Sequence, residues 1–430
     1  MPVKLGGPAS GSRVRGSSVE KLMHETASTT AARHPLAATA SRLAPLFAEE
    51  SGANEARGSL TEKTIAALRD GGFLGLLMPR RFGGAEAWPV DALDTIETLC
   101  HADAATGWVL MTAQIAMASA AAFLEPDATA QIFGAGLPMV AGQGAPNGRA
   151  AATDGGYRLS GKWTYGSGLL HAEYVHTGAF VYDGESQRML PGSNYPEVRI
   201  FILPRSQARL LGNWDVLGLR ATGSVDYAID DVFVPEGYSH RLVETRPRQG
   251  GDLYRIGILG FGAIGHTGFA LGAARRMLDE IAALARGQSG RPSILATSGT
   301  GESFHEDYGQ AEAKLRAARA FAYEAQGEQQ AALQRGESPS TRHTTLVRLA
   351  LNHATTVAVE IAQFAYRYGG GVALRTGTLQ RVYRDILTGA QHVSASPFVL
   401  RECAKDLLGI APGRFWGPRG LGDPWSTEGR

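Results

Sequence analysis

The chain has 430 residues, 44% hydrophobic and 19% charged, with 42 basic and 41 acidic side chains and a formal net charge of +1. That length holds two or three packed units of ordinary globular composition, and the balanced charge gives no reason to expect nucleic acid or an acidic surface as partner. Two cysteines, Cys100 and Cys403, exclude a disulfide framework or a cysteine-rich metal site and suit a reducing cytoplasm.

In chain order, residues 1–19 begin MPVKLGGPASGSRVRGSS, a Gly/Ser-rich stretch with no apolar core, and are expected to form a flexible arm. Residues 20–136 carry a helical pattern. Ser59 with Glu62 three residues later reads as a capping box opening a helix through Leu68. Residues 90–112 read as one apolar helix, with a second through Phe123. No run looks long and apolar enough to span a membrane. Residues 137–240 alternate like strands in YRLSGKWTY, AEYVHTGAFVY, VRIFILP and VDYAIDDVFVP. Residues 241–430 return to long helices, predicted over 264–286, 306–334, 338–368 and 377–408. The arrangement is therefore α+β, with a β-module between two helical ones.

Two segments carry a likeness. GQGAPNGRAAATDGGYRLSGKWTYGSG (142–168) and GNWDVLGLRATGSVDYAIDDVFVPE (212–236) resemble the flavin-cradling middle domain of the acyl-CoA dehydrogenase superfamily. The resemblance implies an N-terminal helical domain, a central β-barrel or sandwich and a C-terminal four-helix bundle. Sliding its G-x-K-x-W-I-T-N phrase onto Gly161 to Gly168 puts Tyr165 beside the isoalloxazine and Ser167 near flavin N5. Gly144, Ala145 and Gly166 become further flavin contacts. The Tyr-Gly-Ser-Gly wording is similar to the superfamily's two-component flavin-dependent monooxygenases. On that likeness Ser167 would retain the N5 proton and limit loss of peroxide; read alone, a serine between glycines is a turn.

The far end bears on the reaction. Superfamily dehydrogenases carry G-G-x-G-Y-x-x-E-Y-P-x-x-R-x-Y-R-D, and this chain reads GGGVALRTGTLQRVYRD. Anchored on Arg381, Tyr383, Arg384 and Asp385, the motif puts Thr376 where the dehydrogenase base stands. A threonine hydroxyl is too weakly basic for that task, and residues 256–268, where other members keep a base, hold no carboxylate. His392 stands eight residues beyond Arg384, a spacing at which the monooxygenase branch projects a histidine towards flavin C4a. Imidazole titrates near physiological pH, and as a general base towards a phenol or ring N–H it would contribute ~10²–10⁴ in rate. The plain alternative is a histidine satisfied by local hydrogen bonds.

The resemblance extends to Arg286, placed to reach the flavin phosphate region of a neighbouring subunit, though an arginine also suits a helix C-terminus. Gly369 and Gly370 match a glycine pair that admits a cofactor or a packed helix. Trp108 and Gln114, in DAATGWVLMTAQ, align with a pocket-lining helix, although a tryptophan there also reads as core. His101, His171 and His266 lack metal-ligand spacing and receive no role, and Arg80-Arg81 and Arg275-Arg276 read as solvated faces.

The likeness thus implies the oxygenase component of a two-component monooxygenase. It would use diffusible reduced FAD or FMN and O2, through a C4a-hydroperoxyflavin, to oxygenate a small aromatic or heteroaromatic substrate. A separate NAD(P)H:flavin reductase and a homotetramer are implied with it. Other readings stay open: an amino-sugar N-oxygenase, an acyl-CoA dehydrogenase with an unrecognised base, or a non-catalytic flavin-fold subunit. A nicotinamide enzyme is a further alternative, because Gly260 to Gly265 spell G-x-G-x-x-G. That motif needs a strand before it and an acid ending a second strand about twenty residues on. Asp279 and Glu280 fall near that distance but inside the helical run AARRMLDEIAALAR, so close helix packing is the competing account.

Overall fold

A computed structural model describes residues 33–191, 193, 195–288, 295, 301–417 and 420–422. The expected arm, residues 1–19, lies outside them. From Pro35 onward the described chain packs as one compact unit.

The first helices are α1 (Pro35–Arg57), α2 (Glu62–Asp70), α3 (Pro89–Ala102), α4 (Ala104–Phe123) and α5 (Pro126–Phe133). Two local expectations fail for identifiable reasons. The cap of α2 is Thr61, not Ser59: its hydroxyl accepts from Thr64 N at 3.2 Å, while its own N–H is fixed by Asn54 Oδ1 at 2.8 Å. The apolar run 90–112 breaks at Asp103, whose buried carboxylate accepts from Thr106 N and Oγ1 and starts α4 afresh.

The four quoted strand segments form β2 (Gly156–Trp163), β3 (Tyr174–Asp183), β5 (Val198–Pro204) and β7 (Tyr227–Pro235). With β1 (Val140–Thr153), β4 (Ser186–Gln187), β6 (Arg209–Leu210) and β8 (Ser239–Arg241) they make one eight-stranded sheet. Its order is β6-β7-β2-β1-β3-β5-β8, with β4 on β3. β1 runs parallel to β3 and antiparallel to β2, so the sheet is mixed. β1 was not anticipated because its Gly-, Ala- and Pro-rich sequence does not alternate. Its register against β3 jumps from Gln143↔Thr177 to Pro146↔Gly178, leaving Gly144 and Ala145 without ladder partners. Trp163, the tryptophan of the flavin phrase, is core. It stacks on Tyr227 at 5.5 Å and donates Nε1–H to Gly178 O at 2.8 Å, and a Cβ on Gly148 or Gly161 would collide with its ring.

The remaining helices are α6 (Gly257–Ala285), α7 (Glu302–Gln334), α8 (Thr341–Ala373), α9 (Thr378–Gly389) and α10 (Pro397–Leu407), followed by the hairpin β9 (Phe415–Gly417) and β10 (Gly420–Gly422). α6 to α9 pack on one another, and α3 and α4 lie against α6. The G-x-G-x-x-G sits wholly inside α6, preceded by a 3-10 turn rather than a strand, which removes the nicotinamide reading of that motif. A Cβ on Gly265, Gly268 or Gly272 would press on Met111, Ile96 or Glu97 O, so these glycines serve helix packing. The predicted helix 377–408 is two helices, because Pro397 at the first turn of α10 forces Ser396 out of helical geometry. His392 lies in that break.

Two further expectations are corrected. α4 and the segment Asp252–Ala285 are long and apolar enough to cross a membrane, but 89% and 83% of those windows are buried in the protein. Arg275 and Arg276 are not solvated. Arg275 pairs with Asp279 and with Glu312 at 2.7 Å, and Arg276 with Glu280 at 2.8 Å.

Candidate functional site

The strand β2 ends at Trp163, and the chain then turns through Tyr165, a non-glycine residue at φ 59°. This left-handed turn carries Ser167 inwards, to 6% exposure, and leaves the Tyr165 ring 60% exposed with its edge on Trp214. Gly166 N donates to Val225 O at 3.0 Å, tying the turn to the 222–226 segment, and a Cβ there would crowd Leu169 and Val225 O.

Ser167 Oγ accepts from Trp108 Nε1 at 3.2 Å and bonds Ser224 Oγ at 2.7 Å. Trp108, 8% exposed on α4, is therefore packed and at the same time bonded to Ser167. Its ring meets Phe269 (4.9 Å) and His266 (5.1 Å) edge-on and His392 at 6.2 Å. His266 and His392 stack at 3.9 Å between centroids. A Cβ on Gly389, at the end of α9, would strike Phe269 and Trp108, so the approach to the break at His392 is shaped around these rings. Ser167, Trp108, His266, Phe269 and His392 thus form one cluster from four parts of the chain.

His392 differs from its expected chemistry in two ways. Burial, and then the Arg348 guanidinium, hold it down to about 4, so the ring is neutral at neutral pH. His266 is likewise pushed well down by burial and then by His392. Moreover, Ser394 N–H donates to His392 Nδ1 at 3.3 Å. A neutral ring that accepts at Nδ1 carries its proton on Nε2. As arranged, His392 offers a hydrogen-bond donor from Nε2 rather than a free base.

The YRD motif supports the site from behind. Asp385, buried and pushed up to about 7 by that burial, accepts from Leu219 N at 2.6 Å. Arg384 reaches Leu217 O at 2.9 Å and Glu55 at 2.5 Å. Thr376, at the dehydrogenase-base position, is exposed between α8 and α9.

A family model for the acyl-CoA dehydrogenase C-terminal domain matches residues 264–397. The chain is 32% identical over 357 residues to an indole-3-acetate monooxygenase of Pseudomonas putida, covering 82% of this chain and 88% of that one. The chain belongs to the flavin-dependent monooxygenases of the acyl-CoA dehydrogenase superfamily. It is also 26% identical over 373 residues to HsaA of Rhodococcus jostii RHA1, named as the oxygenase subunit of a flavin-dependent monooxygenase, with 83% of this chain and 93% of that one covered. The fold matches XiaF from a Streptomyces species, solved with FADH2 and glycerol, at a TM-score of 0.79 and 22% identity, over 88% of this chain and 96% of that one.

Not every predicted residue of this monooxygenase joins the cluster. Gln114 is fully buried, with Oε1 accepting from Leu77 N at 2.8 Å and Nε2 donating to Leu74 O at 2.9 Å, so its amide pins the 74–77 segment. Gly369 packs against Leu379, and Gly370 (φ 49°) kinks the end of α8 with open space around it. Arg286 is exposed at the end of α6, bonded to Gln288 at 2.7 Å. Gly144 and Ala145 form the β1 bulge. The sequence reading missed His266, Thr222, Ser224 and the supporting role of Asp385. The repeated small hydroxyls of Thr222-Gly223-Ser224 were the available signal.

The residues fit a flavin. An exposed aromatic ring at Tyr165 and the exposed Leu217 on the Trp214 loop offer apolar surface for a flat heteroaromatic ring, with the buried Ser167 hydroxyl between the Tyr165 turn and Trp108.

Proposed function

We propose that this oxygenase component binds reduced flavin with Ser167 at N5, against Tyr165, Gly166 and the Gly144–Ala145 bulge. A small aromatic substrate would lie on the Trp108–His392 side. Reduced flavin, when bound, would supply the two electrons by which one atom of O2 enters the ring and the other leaves as water. The chain's own part is to orient that ring, exclude water and set its protonation state. His392 Nε2–H donates to a substrate heteroatom and favours the deprotonated, electron-rich form, whose proton is released to solvent on binding. The single observation carrying this reading is the Trp108 indole, which joins Ser167 by a hydrogen bond and His392 by ring contact. Phenols, which ionise readily and then accept from Nε2–H, are the first substrates to try; the 32% identical relative is named for indole-3-acetate, whose carboxylate rather than its ring N–H can accept that bond.

Reduced flavin would arrive from a separate NAD(P)H-dependent reductase, since the one dinucleotide-like motif lies inside α6. In a homotetramer, the exposed Arg286 would serve the flavin phosphate of a neighbouring copy. The test is His392→Ala against His392→Gln, whose amide donates from nearly the Nε2 position. Product formation should fall by ~10²–10³ in the alanine variant and recover in part in the glutamine variant, with reduced-flavin affinity unchanged in both. Full activity in His392→Ala would refute the reading.

A further inference from the structure

Behind Ser167 runs a chain of hydroxyls whose proton directions are all determined. Thr222 Oγ1 donates to Leu219 O at 2.7 Å. A carbonyl cannot donate, so this bond uses the one proton that Thr222 has. The 2.6 Å contact between Thr222 and Ser224 must then be donated by Ser224, and the 2.7 Å contact between Ser224 and Ser167 by Ser167. Trp108 Nε1–H, a pure donor, completes the series by pointing at Ser167 Oγ. Ser167 therefore has no proton to give and one lone pair left to receive.

The anchor of the series is itself held. Leu219 sits at φ 52° with its N–H on Asp385 Oδ1, and its carbonyl also accepts Thr222 N at 3.1 Å and Trp214 Nε1 at 3.2 Å. Thr222, Ser224 and Ser167 are each at most 6% exposed, so solvent offers little alternative partnership.

We propose that Thr222 and Ser224 are redox-state selectors: by fixing the Ser167 hydroxyl as an acceptor, they favour reduced over oxidised flavin. N5 of reduced flavin bears a hydrogen and needs an acceptor. N5 of oxidised flavin bears only a lone pair and needs a donor, which Ser167 cannot supply. A two-component oxygenase has a use for this, since spent oxidised flavin must leave before a fresh reduced one enters. The proposal rests on the placement of flavin N5 at Ser167 given above. Thr222 and Ser224 are positioning residues that act through Ser167.

The experiment is anaerobic titration of the full chain with reduced and, separately, oxidised flavin, giving the ratio of the two dissociation constants. Wild type should favour the reduced form. In Thr222→Val the Ser224 proton loses its acceptor and can turn to Ser167, releasing the Ser167 proton towards N5. The preference should then shrink about tenfold, the worth of one ordinary hydrogen bond, chiefly through tighter oxidised flavin. Thr222→Ser keeps the hydroxyl and should keep the wild-type ratio. Ser224→Ala provides the same test should the valine variant fold poorly. An unchanged ratio in a folded Thr222→Val or Ser224→Ala overturns the proposal. Wild type that binds neither flavin form would instead overturn the flavin site itself.

Discussion

The two walls of the site are built on opposite plans. On the sheet side, Ser167 belongs to a hydrogen-bonded series in which each proton has one destination, ending on the carbonyl of Leu219, a residue whose N–H is held by Asp385. On the helix side, His266, His392, Trp108 and Phe269 meet through ring faces and edges, and burial keeps both imidazoles neutral. The first plan fixes polarity and so can discriminate between forms of a ligand that differ by one proton. The second gathers aromatic rings around the Nε2–H of His392, suited to an apolar ring whose one heteroatom must be found and held.

After the loss of product in His392→Ala, the largest expected effect tests the sheet wall. Ser167→Ala removes the N5 acceptor and should raise the reduced flavin consumed per product about tenfold, read as peroxide released, while reduced flavin still binds. A coupling ratio equal to wild type would sever Ser167 from the cofactor. Next, Gln114→Ala separates framework from site. Leaving Leu77 N and Leu74 O unpaired in a buried setting should cost about 1–3 kcal/mol in denaturant unfolding, with the substrate KM unchanged. A raised KM would return Gln114 to the pocket.

A smaller effect concerns Asp385. Its folded pKa of about 7 lies above the ordinary 3.8, so the stability linked to its proton is complete below about pH 4 and is lost as pH rises through 7. Asp385→Asn should flatten that fall in Tm between pH 4 and 7; an unaltered slope would place the titration elsewhere. The smallest effect is the pH behaviour of the helix wall. His392, held at about 4, predicts hydroxylation independent of its titration from pH 6 to 9. Arg348→Met removes a cation that depresses it, so the His392 titration followed by NMR should move upward.

How much of this was legible in the sequence follows the kind of signal each part carries. Strands β2, β3, β5 and β7 alternate and were readable. β1 was not, because its pairing is set by neighbouring strands and a bulge rather than by its own pattern. Tyr165, Ser167 and His392 were singled out by register against a family phrase. The role of His392 changed because only the fold shows the Ser394 N–H on Nδ1. The backbone bonds of Gln114 were not legible, because a polar residue on an apolar helix satisfies either a ligand or the backbone and sequence does not say which. His266 stood alone in sequence and became His392's neighbour only when α6 packed beside the break after α9.

The most direct test of the central claim is an anaerobic crystal structure with reduced flavin and a phenolic substrate bound. The account predicts flavin N5 within about 3.2 Å of Ser167 Oγ, and the substrate heteroatom within hydrogen-bond reach of His392 Nε2. A flavin seated away from Ser167, or a substrate with no contact to His392, would contradict it.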